Sequence, residues 1–169
     1  MYTGICLGEK PPPPQVPRST GDDSERKTMI KTPSHFAGPK LWYEDVAAGQ
    51  ELPPLRKVVS TRQLVMYAGA SGDFVPIHYD KDRAVAAGHP GVIVHGALKS
   101  AFIAQMVTVW MGESGRLLEL AVQYRGIDYP DDPLTCRARV TGARRQGAQG
   151  IIELEVRLEN GRGEVTTPG

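Results

Sequence analysis

In the run SGDFVPIHYD, residues 71–80, a carboxylate at Asp73 and an imidazole at His78 bracket a proline within a loop of otherwise small and apolar residues. Histidine changes charge near neutral pH. A carboxylate flanked by Gly72, Phe74 and Val75 is partly desolvated, which raises its affinity for a proton unless a cation is near. Such a pair can hold one proton between its members and pass it on. Pro76 fixes its own φ and keeps the residue before it extended, so Asp73 and His78 can converge from the two ends of the loop. The chemistry this suits is general acid–base catalysis, with both groups in reach of one water. Taken alone, the D-x4-H spacing favours an aspartate capping a turn and a hydrogen-bonded loop histidine, and only the surrounding pattern turns the reading toward an acid–base pair.

Other chemistries find little support. His78, His89 and His95 do not fall at i, i+4 on a helix or at a zinc spacing, so no metal ligand set is expected. No G-x-G-x-x-G or G-x-x-x-x-G-K-[ST] run follows a strand, so no dinucleotide or P-loop cofactor is expected either. Cys6 and Cys136 lie far apart and outside any C-x-x-C, which reads as two free thiols in a reducing cytoplasm. With 20 basic and 19 acidic side chains the formal charge is +1, so there is no overall field to attract nucleic acid or an anionic membrane. Arg144 and Arg145 in the run GARRQ fit a solvated face or a phosphate clamp.

The elements that must position the loop follow from texture. Residues 1–38, with EKPPPPQVPRSTGDDSERKT among them, are rich in proline and charge and read as a disordered or leader tail. The PPPP run suits a polyproline II segment, and Met29 opens a second plausible start. One domain over residues 39–169 follows. ELPPLRKVVST reads as an extended strand. TRQLVMYAGASG reads as a helix with Thr61 as N-cap and Leu64, Val65 and Ala68 as its inner face. DKDRAVAAG is a short helix closed by Gly88, and HGALKSAFIAQMVTVWMG a long one closed by Gly112. That long helix carries Lys99 as its only charge, so it should be wrapped by protein on nearly every side. It is too short and too polar to span a membrane. LLELAVQYRG, LTCRARVTGARRQ, GIIELEVRLEN and GEVTTPG then read as successive strands of an antiparallel meander. The whole is α+β, a sheet wrapped around one buried helix. One helix leaves sheet edges uncovered, so a dimer with two sheets made continuous is expected.

SGDFVPIHYD resembles the hydratase-2 motif S-G-D-x-N-P-x-H of the MaoC-like dehydratases, which are (R)-specific enoyl-CoA hydratases of the hot-dog fold. GVIVHGALKS resembles the start of that family's central helix, and VQYRGIDYPDDPL its F-R-x-P-V-x-P-G-D-x-L strand and turn. The resemblance covers about residues 41–168. Val75 departs from the motif's asparagine, and the last strand, which typically runs on in the family, is expected to be a short edge strand here. The resemblance implies an acyl-CoA or acyl-carrier-protein substrate, an acid–base pair of Asp73 and His78, and a homodimer or a heterodimer with another hot-dog chain. The thioester oxygen that gains charge as an enolate forms needs a donor. Gly96 supplies one at the helix start, where its N–H has no intrahelical acceptor and no side chain blocks approach. Ser100, one turn on, is a helix-packing or pocket residue, and His95 fixes the turn. Val65, Phe102 and Met106 would set pocket depth. A hot-dog thioesterase and a structural subunit of a heteromeric hydratase are the competing readings.

Overall fold

The period-two segments near the C-terminus become the centre of a sheet. In the computed structural model, which describes residues 3–10, 40–147 and 149–169, β4 (Pro133–Gln146) and β5 (Gln149–Glu159) form a long antiparallel hairpin. Leu134, Cys136, Ala138 and Val140 of β4 face the core with Ile152, Leu154, Val156 and Leu158 of β5. The ladder slips between Val140 and Gly142, a bulge of the kind that bends a strand and lets the sheet curl. β2 (Leu55–Val58) pairs with the outer flank of β4, and β6 (Val165–Pro168) with the other side of β5.

Two expectations about the sheet change. β4, β5 and β6 do follow one another as a meander, but β3 (Gly115–Glu119) is not beside β4. That flank is taken by β2, so the chain after β3 crosses over and reaches β4 from the far side. β6 is interior rather than an edge strand. It lies between β5 and the extended segment that continues β3, where the Gln123 N–H donates to Pro168 O at 2.8 Å and the Arg125 N–H to Thr166 O at 3.0 Å.

The start of the chain also differs from the expected tail. β1 (Thr3–Leu7) is buried throughout and sits between β5 and β3. Thr3 stands opposite Leu154 while Gly169 bonds to Val156, so β1 takes up the face of β5 where β6 leaves it. Both ends of the chain share one strand position. Ile5 and Leu7 fill the slot completely, a long-range contact that the tail's local composition does not announce. The PPPP run and Met29 lie outside the described residues.

α1 (Thr61–Ser71) starts one residue earlier than expected in its capping: Ser60, not Thr61, is the N-cap, its Oγ accepting from the Gln63 N–H at 3.3 Å. Leu64 and Ala68 are buried as expected, but Val65 is 52% exposed. It lies about 100° round the helix from Leu64 and so leaves the core. Asp80 caps α2 (Lys81–Ala86), accepting from the Asp82 and Arg83 N–H groups, and Gly88 closes it at φ +90°. α3 (Gly96–Met111) lies in the concave face with Leu98, Phe102, Ile103, Met106 and Val107 in the core. It is not wrapped on every side: Ala97, Ala101, Gln105 and Val109 form an exposed stripe one helical turn apart. Its lone charge is nonetheless buried, because Lys99 meets Asp128 inside the protein.

Candidate active site

The quoted loop is built by hydrogen bonds among its own residues. Gly72 ends α1 at φ +76°, a left-handed conformation that favours glycine. The Asp73 N–H then donates to Ser71 Oγ at 3.2 Å, the Val75 N–H to Asp73 Oδ1 at 3.4 Å, and the Tyr79 hydroxyl to Phe74 O at 2.9 Å. Pro76 opens a short 3-10 turn that ends at His78. The two ends converge: Asp73 Oδ2 lies 3.9 Å from His78 Nε2. The His78 side chain is 10% exposed and that of Asp73 38%, so the pair spans the boundary between protein and solvent.

His78 Nδ1 stands 2.8 Å from Ile93 O. A carbonyl oxygen only accepts, so Nδ1 carries the hydrogen and a neutral ring presents its Nε2 lone pair to Asp73. A separation of 3.9 Å is too long for a direct hydrogen bond. It leaves the two groups able to share one small intervening group.

His95 backs this arrangement from inside. Its ring stacks on that of His78 with centroids 3.7 Å apart and planes 18° from parallel, and Tyr67 meets it edge-on at 5.0 Å. His95 Nε2 lies 3.4 Å from Asp73 O, which ties the buried ring to the loop backbone. Burial, and then the nearby His78, hold the His95 pKa below its ordinary value. Burial, with Tyr124 and Asp73 nearby, pushes the Tyr67 phenol up, so both groups are neutral at pH 7.

Asp73, His78 and His95 are also the one group of three described residues whose ligand atoms lie close enough, within 4.8 Å, to suggest a metal. Sequence spacing did not anticipate the cluster. The rings oppose that use. A tetrahedral zinc needs nitrogen lone pairs converging at about 2.0–2.1 Å, whereas stacked rings aim theirs along nearly parallel planes.

Gly96 opens α3, and the Tyr124 ring packs directly on it. A Cβ at Gly96 would fall 2.9 Å from Tyr124 Cδ2, so any side chain here has to displace the Tyr124 ring. Ser100 Oγ donates to Ala97 O at 3.0 Å and shares a 3.0 Å hydrogen bond with the Tyr124 hydroxyl. A cleft of about 250 Å³ is lined by His78, Val94, Gly96, Lys99, Tyr124 and Ile127. Two of the four residues singled out from sequence, His78 and Gly96, therefore line it, while Asp73 faces it across the gap to His78 and Ser100 is joined to it by Tyr124. A larger cleft of about 430 Å³, lined by Thr61, Tyr79 and Tyr129 among others, contains none of the four. Of the residues expected to set pocket depth, Phe102 and Met106 are core and Val65 faces solvent.

Sequence reasoning missed Tyr67, Tyr124 and Asp128. The lone lysine on an apolar helix was the available signal for the last: Lys99 Nζ donates to Asp128 Oδ2 at 2.8 Å and to Gly126 O at 2.9 Å. Arg145 is held by Glu9 and Glu44 and Arg144 by Glu153, so carboxylates already occupy both guanidinium groups. Burial pushes the Cys136 thiol up to about 12, which keeps it protonated and inert. Among the described residues no helix is long and apolar enough to cross a membrane.

The family model for the MaoC like domain matches residues 45–161. A fatty acid synthase beta subunit, TOXC, from Cochliobolus carbonum is 34% identical over 92 residues, covering 53% of this chain; the chain spans 4% of that subunit's length. The 3-oxo-4,17-pregnadiene-20-carboxyl-CoA hydratase beta subunit of Mycobacterium tuberculosis is 28% identical over 119 residues, 70% of this chain and 89% of that one. Among solved structures, the (R)-hydratase from A. caviae involved in PHA biosynthesis superposes with a TM-score of 0.69 at 23% identity, over 75% of this chain and 94% of that one. The ChsH1-ChsH2 complex from M. tuberculosis gives 0.65 at 26% identity, over 73% and 93%.

Proposed function

Because the chain belongs to the MaoC-like domain family, we propose that it is an acyl thioester hydratase/dehydratase, adding water reversibly across the double bond of a trans-2-enoyl thioester to give the (R)-3-hydroxyacyl thioester. The observation that carries this reading is the Asp73–His78 pair, 3.9 Å apart at the mouth of a cleft whose other wall is the start of α3. The gap suits one water in contact with both groups. The pair holds one labile proton. As the water oxygen bonds to the β-carbon, the unprotonated member takes a proton from water, and the protonated member delivers its own to the α-carbon. The π electrons pass through an enolate, and the pair ends with one proton, as it began. Dehydration runs the same steps in reverse.

Negative charge on the thioester oxygen would be met by the Gly96 N–H at the positive end of the α3 dipole. His95, neutral and stacked on His78, holds the catalytic ring at its angle. The supports for CoA or carrier-protein substrates are the coenzyme A hydratase and fatty acid synthase names among the relatives. A second hot-dog chain, identical or related, would cover the exposed α3 stripe, in keeping with the two-component complex among the structural neighbours.

The test follows crotonyl-CoA with purified protein. Loss of enoyl absorbance without release of thiol is the expected result; thiol release would identify a thioesterase, and neither change a structural subunit. Asp73→Asn and His78→Gln should each lower kcat by about 10²–10⁴-fold, the usual contribution of a general acid or base. A folded variant of either kind with wild-type kcat would remove the pair from the mechanism.

A further inference from the structure

Lys99 and Asp128 are buried charges that the proposed acid–base steps do not use. The Lys99 side chain is 3% exposed and that of Asp128 is fully enclosed. Beyond their 2.8 Å contact, Thr166 Oγ1 donates to Asp128 Oδ2 at 2.7 Å, and the Asp128 backbone oxygen accepts from the Val94 N–H at 2.9 Å. The Lys99 N–H in turn reaches His95 O at 3.3 Å. These bonds tie three things together: the turn from Val94 to Gly96, the first turn of α3, and the extended segment from Tyr124 to Asp128. Those are the walls of the cleft. A buried ion pair is a poor source of stability, because desolvation offsets the attraction and a well-packed apolar pair often serves as well. Placed here, it does fix geometry. Tyr124 must stay packed on Gly96, and Gly96 must stay aimed at the cleft, while the first turn of any helix lacks the backbone bonds that hold its middle.

Resting on the hydratase reading above, we propose that Lys99, through its pair with Asp128, is a positioning residue for the reaction: it locks the Val94–Gly96 turn and the Tyr124–Asp128 segment so that the Gly96 N–H meets the thioester oxygen.

Removing one partner strands the other charge, so the informative variant is the double replacement Lys99→Met/Asp128→Leu, which fills the same space with apolar groups. Two measurements are made on it, hydrogen exchange of the segment 94–100 against 103–111, and the kcat and KM for crotonyl-CoA. The expected result is a folded protein by circular dichroism. Exchange should be about tenfold faster or more in 94–100 and unchanged in 103–111. KM should stay within about threefold and kcat fall about tenfold or more, since even a 1 Å misplacement of a positioned group can cost on the order of 10²-fold. Thr166→Val, which loosens Asp128 without stranding a charge, should shift both readings in the same direction by less. Unchanged exchange in 94–100 overturns the clamp. Faster exchange with wild-type kcat overturns its role in the reaction. If the wild-type protein hydrates no enoyl thioester, the hydratase reading fails, and the exchange measurement still decides the clamp.

Discussion

At the scale of single residues, the site sets a carboxylate–imidazole pair at the solvent boundary against a fully buried imidazole. His78 offers Nε2 to Asp73 because Ile93 O occupies its Nδ1, whereas His95, fully buried against it, is kept neutral. That difference has a consequence for stability. With its folded pKa depressed, His95 binds fewer protons in the native state than in the unfolded chain once pH falls below the unfolded value of about 6.5. Its contribution is therefore present above about pH 6.5 and is lost as pH falls through the folded pKa. The thermal midpoint should drop between pH 7.5 and 5.5, and less steeply in His95→Gln. Parallel slopes for the two proteins would show that another group carries the acid sensitivity. The dyad was legible in sequence because both partners sit in one loop. His95 was legible only as a turn residue, because stacking on His78 is a contact across 17 residues of chain that no local pattern encodes.

At the scale of elements, the start of α3 depends on a neighbour from the extended segment after β3. In sequence terms Gly96 is a helix end without a side chain, and the structure adds what a side chain would meet there: the Tyr124 ring. Gly96→Ala should therefore push Tyr124 aside, break its hydrogen bond to Ser100 and lower kcat/KM by about tenfold or more, given the on the order of 10²-fold cost of misplacing a positioned group by about 1 Å. Combining it with Tyr124→Ala removes the clash while leaving the Gly96 N–H in place. Activity should then return to the level of Tyr124→Ala alone. A folded Gly96→Ala protein with wild-type kcat/KM would place the oxyanion donor elsewhere. Lys99 shows the same dependence from the other side, since its burial on an apolar helix makes sense only once Asp128 is beside it.

At the scale of the whole molecule, the curled sheet holds α3 in its concave face but leaves the helix open along Ala97, Ala101, Gln105 and Val109, with Val109 46% exposed and Leu118 of β3 45% exposed at the sheet edge. Small side chains along a stripe let a second helix come close, and an edge strand has unpaired backbone groups to offer. The protein should sediment at micromolar concentration as a dimer, or pair with a related chain. Ala101→Glu, which puts a charge in the middle of the stripe without touching the core, should weaken that assembly by tenfold or more in dissociation constant, on the order of 1.4 kcal/mol. A monomeric wild-type protein that accepts no hot-dog partner would show that the stripe is simply solvated.

The sequence by itself determined what local order can carry: the strands of the β4–β5 hairpin through their alternation, the three helices through apolar spacing and glycine stops, and the Asp73–His78 loop through a motif contained in ten residues. Only the tertiary structure decided which strands are neighbours, because pairing depends on long-range closure rather than on each strand's own pattern. It placed β3 beyond β1, and put Thr3–Leu7 into a slot on β5 that the composition of residues 1–38 hides. It likewise decided the partners of the buried polar groups. A lysine, an aspartate and a threonine at positions 99, 128 and 166 become one hydrogen-bonded unit only when helix, crossover and final strand meet, because burying a charge is tolerable only where its counter-charge is buried beside it.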